Sequence, residues 1–499
     1  MPQLLPNISA LLNNVTDSLS MFRPELCLAV LFLLVLACDL VYCNNRGRAC
    51  RMLTCAGLLL ALVANWGEYI ETDDNVVFLF NGSLILHHSN IVLKIIIDAV
   101  AFAVILFLPW DDQLRKHGKG LGDAYTIITA SVLGLHLMVM SSTLLSIFLS
   151  VEMVSIASYL LVAYRTESGF SAEAGLKYVL FGMAASAVML YGISLFYSLS
   201  GTLNLFDGDL ITHLQQADTA MVTLAVILIL AGIGFKLSVV PLHFWVPDVY
   251  QGAATPVTAY LSNLPKIAGF GLLVSFLTPF IANPVWKQVD FTMLLSVAGI
   301  ITMIAGNFAA ILQQNIKRLL AYSGIGHTGF ALMAVVTFSA QGIKALNFYL
   351  AVYAVANLGA LMLASYFANT MKAENLNEYK GLGFKYPVAS VCFVILLISL
   401  TGIPVSAGFN AKVLVFSAVY DVYQQGHNVT LLALLVTGAV TTVVSLFYYI
   451  KIPLYLFLKK QGAGSHEYPP HKKLLAMVII LSAIVVVLGI FPDLLANLM

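Results

Sequence analysis

The sequence predicts an all-α, polytopic membrane protein of about 14 transmembrane helices, and three observations lead there. Of its 499 residues, 60% are hydrophobic and only 10% charged, with mean hydropathy +0.91. Soluble domains carry roughly 25% charged residues. Apolar runs of about 20 residues, enough to cross a hydrocarbon core about 30 Å thick, recur along the whole chain. Basic residues gather in alternate connections, the pattern left by insertion with the positive side inward.

The runs fall near 25–43, 49–66, 91–110, 123–141, 143–164, 174–200, 219–240, 256–279, 290–312, 318–338, 343–370, 387–420, 430–458 and 472–496. Residues 1–24 lack a basic start followed by an apolar core, so no cleavable signal peptide is expected. Arg46, Arg48 and Arg51 lie between spans 1 and 2, and Arg115, Lys116 and Lys119 between spans 3 and 4. Lys317 and Arg318 follow span 9; Lys372, Lys380 and Lys385 follow span 11; Lys459, Lys460, Lys472 and Lys473 follow span 13. The even-numbered connections are neutral or acidic, with Glu68, Glu71, Asp73 and Asp74 after span 2 and Asp207, Asp209 and Asp218 after span 6. Odd-numbered connections are therefore expected in the cytoplasm, and both termini on the outer side.

The net charge of +1 does not point to nucleic acid or to any other charged partner. Short connections leave no room for a soluble catalytic domain, and no Gly-rich nucleotide loop is present. Cys27, Cys38, Cys43, Cys50 and Cys55 cluster in or beside the first two spans, with Cys392 in span 12. None makes a CxxC pair or stands near a histidine at metal-ligand spacing, so they read as small apolar filler. No metal and no cofactor is expected on this chain. Chemistry must then lie inside the membrane, where ionisable groups are costly and functional by default.

Two spans are interrupted. Span 7 runs into Pro241 and span 12 into Gly402-Ile403-Pro404, five spans later, and each continues as a second apolar half. Broken helices at matching places in two halves mark an internally repeated transporter. A repeat of five spans is odd, so its two copies enter the membrane in opposite orientations. This divides the chain into helices 1–3 (residues 1–122), a first inverted repeat of helices 4–8 (123–280), a second of helices 9–13 (281–460) and helix 14 (461–499). A proline removes a backbone donor and exposes carbonyls that lipid does not satisfy. Each break is therefore expected to draw in water and make a nearby ammonium tolerable.

Four ionisable residues lie deep in apolar sequence: Glu152, Lys236, Lys266 and Lys412. Insertion scales charge each about 2.5–3.5 kcal/mol at a span centre. Glu152 opposite Lys236 is the expected first-half pair. Lysine suits proton transfer because its proton affinity moves with burial, whereas arginine's does not. The plainer alternative is a structural salt bridge, but three lysines share one glutamate. Lys177 makes an i,i+4 pair with Glu173, an ordinary surface stabilisation. Lys451 reads as a snorkelling residue. His243 and His327 are either relay groups or polar residues packed at helix crossings. Asp248 reads as a cap of the turn after the break, with a link to His243 as the other possibility.

The segment K-L-S-V-V-P-L-H-F-W-V-P-D-V-Y-Q-G-A-A-T-P, residues 236–256, followed by Pro265-Lys266, resembles the N-type antiporter-like subunits of respiratory complex I. The likeness extends to E-M-V-S-I-A-S-Y in span 5, K-R-L-L-A-Y-S-G-I-G-H-T-G in span 10 and G-I-P-V-S-A-G-F-N-A-K in span 12. D-V-Y stands where cation-antiporter subunits usually have D-A-H, and Ala254 where relatives often have proline. The resemblance implies a 14-span proton-pumping subunit of the membrane arm, driven by quinone reduction elsewhere in the complex. It implies Glu152 and Lys236 as the first-half pair, Lys266 as the central relay and Lys412 as the second-half lysine. Flavin mononucleotide, iron–sulfur clusters and quinone would belong to other parts of the complex. The neighbours would be K-type and M-type subunits, the lateral helix of the L-type subunit, and membrane lipid. Animal mitochondrial members lack the first three spans, so their presence favours a bacterial inner membrane. The competing readings are a subunit of a cation/proton antiporter, or a scaffold that has lost pumping.

Overall fold

The computed structural model describes residues 8–41, 46–72, 76–115, 117–118, 120–459 and 471–499. Cys43, Asp73, Asp74, Lys116, Lys119 and Lys460, used above, lie outside the described residues, as does the side chain of Arg46. Among the described residues, 13 helices are long and apolar enough to cross a membrane. The remaining span is the interrupted one, Pro387–Thr401 followed by Ala407–Gly426. The expected 14 crossings are thus present, and the fold is almost wholly helical because lipid leaves backbone groups no partner except their own helix.

Burial sorts the spans into a centre and a rim. In spans 10 (Ile316–Val336) and 11 (Ala340–Met371) 94% of an 18-residue apolar stretch is buried, and in span 8 (Thr255–Ile281) 78%. In spans 1 (Arg23–Val41), 6 (Gly169–Ser200), 13 (Val429–Leu458) and 14 (Lys472–Ile490) only 28% of such a stretch is buried. These rim helices turn leucine, valine and phenylalanine outward, as a lipid-facing surface requires. Small residues bring the central backbones together: a Cβ on Gly306 of span 9 (Phe291–Ile311) would stand 2.4 Å from the Gly326 nitrogen. Close approach at glycine is the usual packing device where no hydrophobic effect drives helices together.

Several features depart from the sequence reading. A helix over Ile8–Ser20 precedes span 1, and a hairpin pairs Val77–Leu79 with Leu84–Leu86. Asn81-Gly82 at its turn, both at positive φ, is the hairpin signal that went unused. Ser18 Oγ accepts from the Phe80 N–H at 2.9 Å and Asn14 Oδ1 from the Asn81 N–H at 2.9 Å, fastening helix to hairpin. Spans 6 and 11 run 32 residues each, about 48 Å of helix. Span 2 (Gly47–Glu71) is longer than expected and carries Glu68 into the interior, so Glu68 is no loop residue. The Lys451 ammonium donates to the Ile311 carbonyl at the end of span 9.

Candidate functional site

Span 7 is helical over Thr219–Leu237 and stops on Ser238, whose φ of +61° is left-handed. The chain resumes as a short helix, Trp245–Gly252, before span 8. Protein groups take up the polar atoms freed here. Trp245 Nε1 donates to the Phe235 carbonyl at 3.2 Å, and Thr328 Oγ1 of span 10 to the Leu237 carbonyl at 2.9 Å. Thr302 Oγ1 of span 9 accepts from the Val240 N–H at 3.1 Å. Side chains from the second half thus complete the break in the first.

Lys236 is buried, and its ammonium donates to Ser155 Oγ of span 5 (Leu144–Val162) at 2.6 Å. The rings of Tyr159, Phe235 and Tyr178 stand around it, with centroids 5.6, 5.6 and 5.9 Å away. Cation–π attraction of this kind is worth about 0.5–2 kcal/mol. Glu152 lies three residues before Ser155, one turn away on span 5, and accepts from Ser186 Oγ of span 6. The expected direct ion pair is absent: lysine and glutamate each end on a serine hydroxyl. Sequence reasoning passed over both serines, which are ordinary inside membrane helices. Two unit charges beyond contact distance, at an effective dielectric near 20, still interact by about 1–2 kcal/mol.

Glu152→Gln keeps the Ser186 contact and removes the charge, so coupled quinone reduction should fall roughly tenfold. Glu152→Asp keeps the charge and should retain intermediate activity. Steady-state rates of the two variants decide the matter, since equal losses would make side-chain length the controlling feature.

Lys266 sits near the middle of span 8, one residue after Pro265. Its ammonium donates to the Gly324 carbonyl of span 10 at 2.7 Å. Glycine at 324 leaves room for these side-chain ends, since a Cβ would stand 2.9 Å from the Tyr353 hydroxyl and 3.2 Å from Lys266 Nζ. One turn before Lys266, Asn357 of span 11 donates to Ser262 Oγ at 2.8 Å and to Asn263 Oδ1 at 3.1 Å. Also on span 10, His327 bridges two hydroxyls, Nδ1 with Tyr349 at 2.7 Å and Nε2 with Tyr449 at 3.2 Å. Tyr449 also bonds Ser323. His327 therefore belongs to the central polar cluster.

Lys412, in the second half of span 12, donates to the Thr401 carbonyl at 2.8 Å and to Thr442 Oγ1 at 3.4 Å. Gly402, at φ +83°, ends the first half-helix and leaves the Thr401 carbonyl turned toward the ammonium. The Phe330 ring lies beneath it at 4.5 Å. An apolar groove of about 760 Å³ opens beside it, lined by Phe409, Val413, Phe416 and Leu435. The two breaks are not equivalent in detail. The second offers its freed carbonyl to its lysine, whereas the first gives its carbonyls to Trp245 and Thr328.

The other sequence candidates fall elsewhere. Lys177 joins Glu173 at 2.9 Å, as expected, but also Asp248 at 2.8 Å, and Asp248 joins Arg318 of span 10 at 2.6 Å. Lys177 therefore helps clamp span 6, the short helix after the break and span 10 together, which makes it more than a local surface pair. Its half-exposed partners make each such pair worth about 0–1 kcal/mol. Asp248 does not reach His243. The His243 ring lies 4.8 Å from that of Phe244, tilted by 34°, and joins none of the lysines. Pro241 and Pro404 lie inside the two breaks, as expected.

Residues 141–444 match the family described as NADH:quinone oxidoreductase/Mrp antiporter, transmembrane. The chain is 37% identical over 490 residues to NADH-quinone oxidoreductase subunit N 2 of Chloroherpeton thalassium, covering 97% of this chain and 94% of that one. Among solved structures it is similar to a chain of respiratory complex I from Thermus thermophilus, with TM-score 0.78 and 28% identity over 95% of this chain and 98% of that one. A chain of the Mrp complex from Dietzia shares the fold, with TM-score 0.81 and 20% identity over 96% of each. Match, identity and coverage agree: this chain belongs to the NADH:quinone oxidoreductase/Mrp antiporter family, and within it to the subunit N line of NADH-quinone oxidoreductase.

Proposed function

We propose that this chain translocates protons in the membrane arm of an NADH:quinone oxidoreductase, through Glu152, Lys236, Lys266 and Lys412. One observation carries the reading. Three lysines lie buried in or beside interrupted spans, and each ammonium ends on a neutral hydroxyl or carbonyl. A structural salt bridge would supply a carboxylate partner, because an unpaired buried charge is costly. An ammonium bonded only to neutral acceptors can lose its proton and leave no stranded anion, which a proton carrier requires.

Glu152 is half-buried near the middle of span 5. A charge facing lipid at that depth costs several kcal/mol, so an adjoining subunit of K or M type covers it. The groove beside Lys412 suits the lateral helix of an L-type subunit, with lipid around the remaining rim. Flavin, iron–sulfur clusters and quinone reside in other parts of the assembly. The membrane is a bacterial inner membrane, with both termini on its outer side and spans 4–8 and 9–13 as inverted repeats.

Purification in mild detergent tests this assignment directly. Flavin and iron–sulfur proteins should accompany the chain, and the complex in liposomes should move protons on addition of NADH and quinone. Sodium-driven proton exchange by a preparation lacking flavin would instead make it an antiporter subunit, and an assembled complex whose proton yield ignores all four residues would make it a scaffold.

A further inference from the structure

A second group of buried charges lies among spans 1 to 4, apart from the lysine line. Lys94 of span 3 (His88–Trp110) donates to Glu25 of span 1 at 2.8 Å and to Glu68 of span 2 at 2.9 Å. His136 of span 4 (Gly122–Met140) bridges two carboxylates, Nδ1 to Glu25 at 3.0 Å and Nε2 to Asp98 of span 3 at 3.1 Å. Asn65 of span 2 donates to the other Asp98 oxygen at 2.7 Å. Glu25, Lys94, Asp98, His136 and Asn65 are 0% exposed and Glu68 is 3% exposed.

The charges do not balance. With both imidazole nitrogens facing carboxylate oxygens, His136 is either an imidazolium or a neutral ring that accepts a hydrogen bond from one of them as a protonated acid. Taken as imidazolium, two cations face three carboxylates, leaving one negative charge where water does not reach. A buried charge without compensation is far more costly than a neutralised acid. Three acceptor atoms also lack any partner: Glu25 Oε2, Glu68 Oε1 and Asn65 Oδ1. Both Asp98 oxygens are engaged, so the free valence lies on the two glutamates. Glu68, with a single partner, is the better placed.

We propose that the Glu25–Glu68–Lys94–Asp98–His136 cluster is a second proton-binding site, holding one exchangeable proton between the two glutamates. A metal cation fits less well, because the Lys94 ammonium already fills the space where both glutamates converge. The other ionisable groups near the cluster are Cys27 of span 1, near Asp98, and Tyr69 of span 2, which donates to the Leu498 carbonyl. At the terminal side, Arg23 pairs with Glu71 at 3.4 Å, both about half-exposed, and the cluster lies just beneath that pair. This puts the proton within a few helical turns of one membrane face. The site stands whether or not the lysine line carries protons.

Infrared difference spectra of the assembled complex in lipid vesicles, recorded across pH and in H₂O against D₂O, test it. A protonated buried carboxyl gives a C=O band that shifts with deuterium and disappears as pH rises. That band should be lost in Glu68→Gln and retained in Lys266→Ala. Glu25→Gln supplies a second reading should Glu68→Gln fail to assemble, since it removes the other candidate oxygen. A fully ionised structural cluster has no such band to lose. A band absent from the wild type, or untouched by either glutamine, overturns the proposal. A band that answers to sodium at fixed pH overturns it in favour of a bound cation.

Discussion

Replacing Lys236 by alanine is expected to abolish proton pumping and coupled quinone reduction in a complex that still assembles. The alanine removes the ammonium proposed to carry the proton at the break in span 7 and leaves Ser155 Oγ and three aromatic rings around an empty position. Assembly should survive, because the break is fastened by Trp245, Thr328 and Thr302, none of which depends on the lysine. A positioned proton-transfer group contributes on the order of 10²-fold to 10⁴-fold, so coupled turnover should fall by at least about 10²-fold. NADH oxidation by a soluble acceptor bypasses the membrane arm and should remain near normal. Proton uptake by reconstituted vesicles, measured beside that bypass reaction, separates lost pumping from lost assembly. Full pumping by an assembled Lys236→Ala complex would remove this residue from the path.

The span count, the two breaks and the four central charges were legible because each violates the rules of a lipid-buried helix. A lysine or proline inside an apolar run stands out against its neighbours. What escaped reading was of two kinds. Ser155, Ser186, Thr328 and the Gly324 carbonyl are ordinary inside membrane helices, and only helix packing makes them partners of the charges. Glu68 was taken for a loop residue, and Glu25, Lys94, Asp98 and His136 were open to inspection but went unread. Glu68 fell among acidic residues that oriented the chain, and Glu25 stood at the first turn of span 1. Lys94 and Asp98, four apart on one helix, carried the i,i+4 signal of a shared face. Membrane depth turns on where a helix ends, and composition locates ends only to within a turn.

Lys412→Arg is the sharper test, because arginine keeps the charge and will not release its proton. The site can house the larger group. Thr401 offers a carbonyl, Thr442 a hydroxyl, Phe330 a ring face, and the adjoining groove of about 760 Å³ takes the added atoms. A guanidinium would keep the electrostatic role and the contacts, so assembly should be unchanged. If Lys412 acts only as a fixed charge, pumping should stay close to normal. If it must lose and regain a proton each cycle, the arginine variant should be nearly as inactive as Lys412→Ala, down by about 10²-fold in coupled turnover. The latter is expected, because the Thr401 carbonyl and Thr442 hydroxyl accept from an ammonium but leave no anion behind when it becomes an amine. The first half differs in its acceptor, a serine instead of a freed carbonyl, yet shares that neutrality. Comparing proton uptake by Lys412→Arg, Lys412→Ala and the wild type in vesicles decides it, and near-normal pumping with arginine would leave Lys412 a fixed charge.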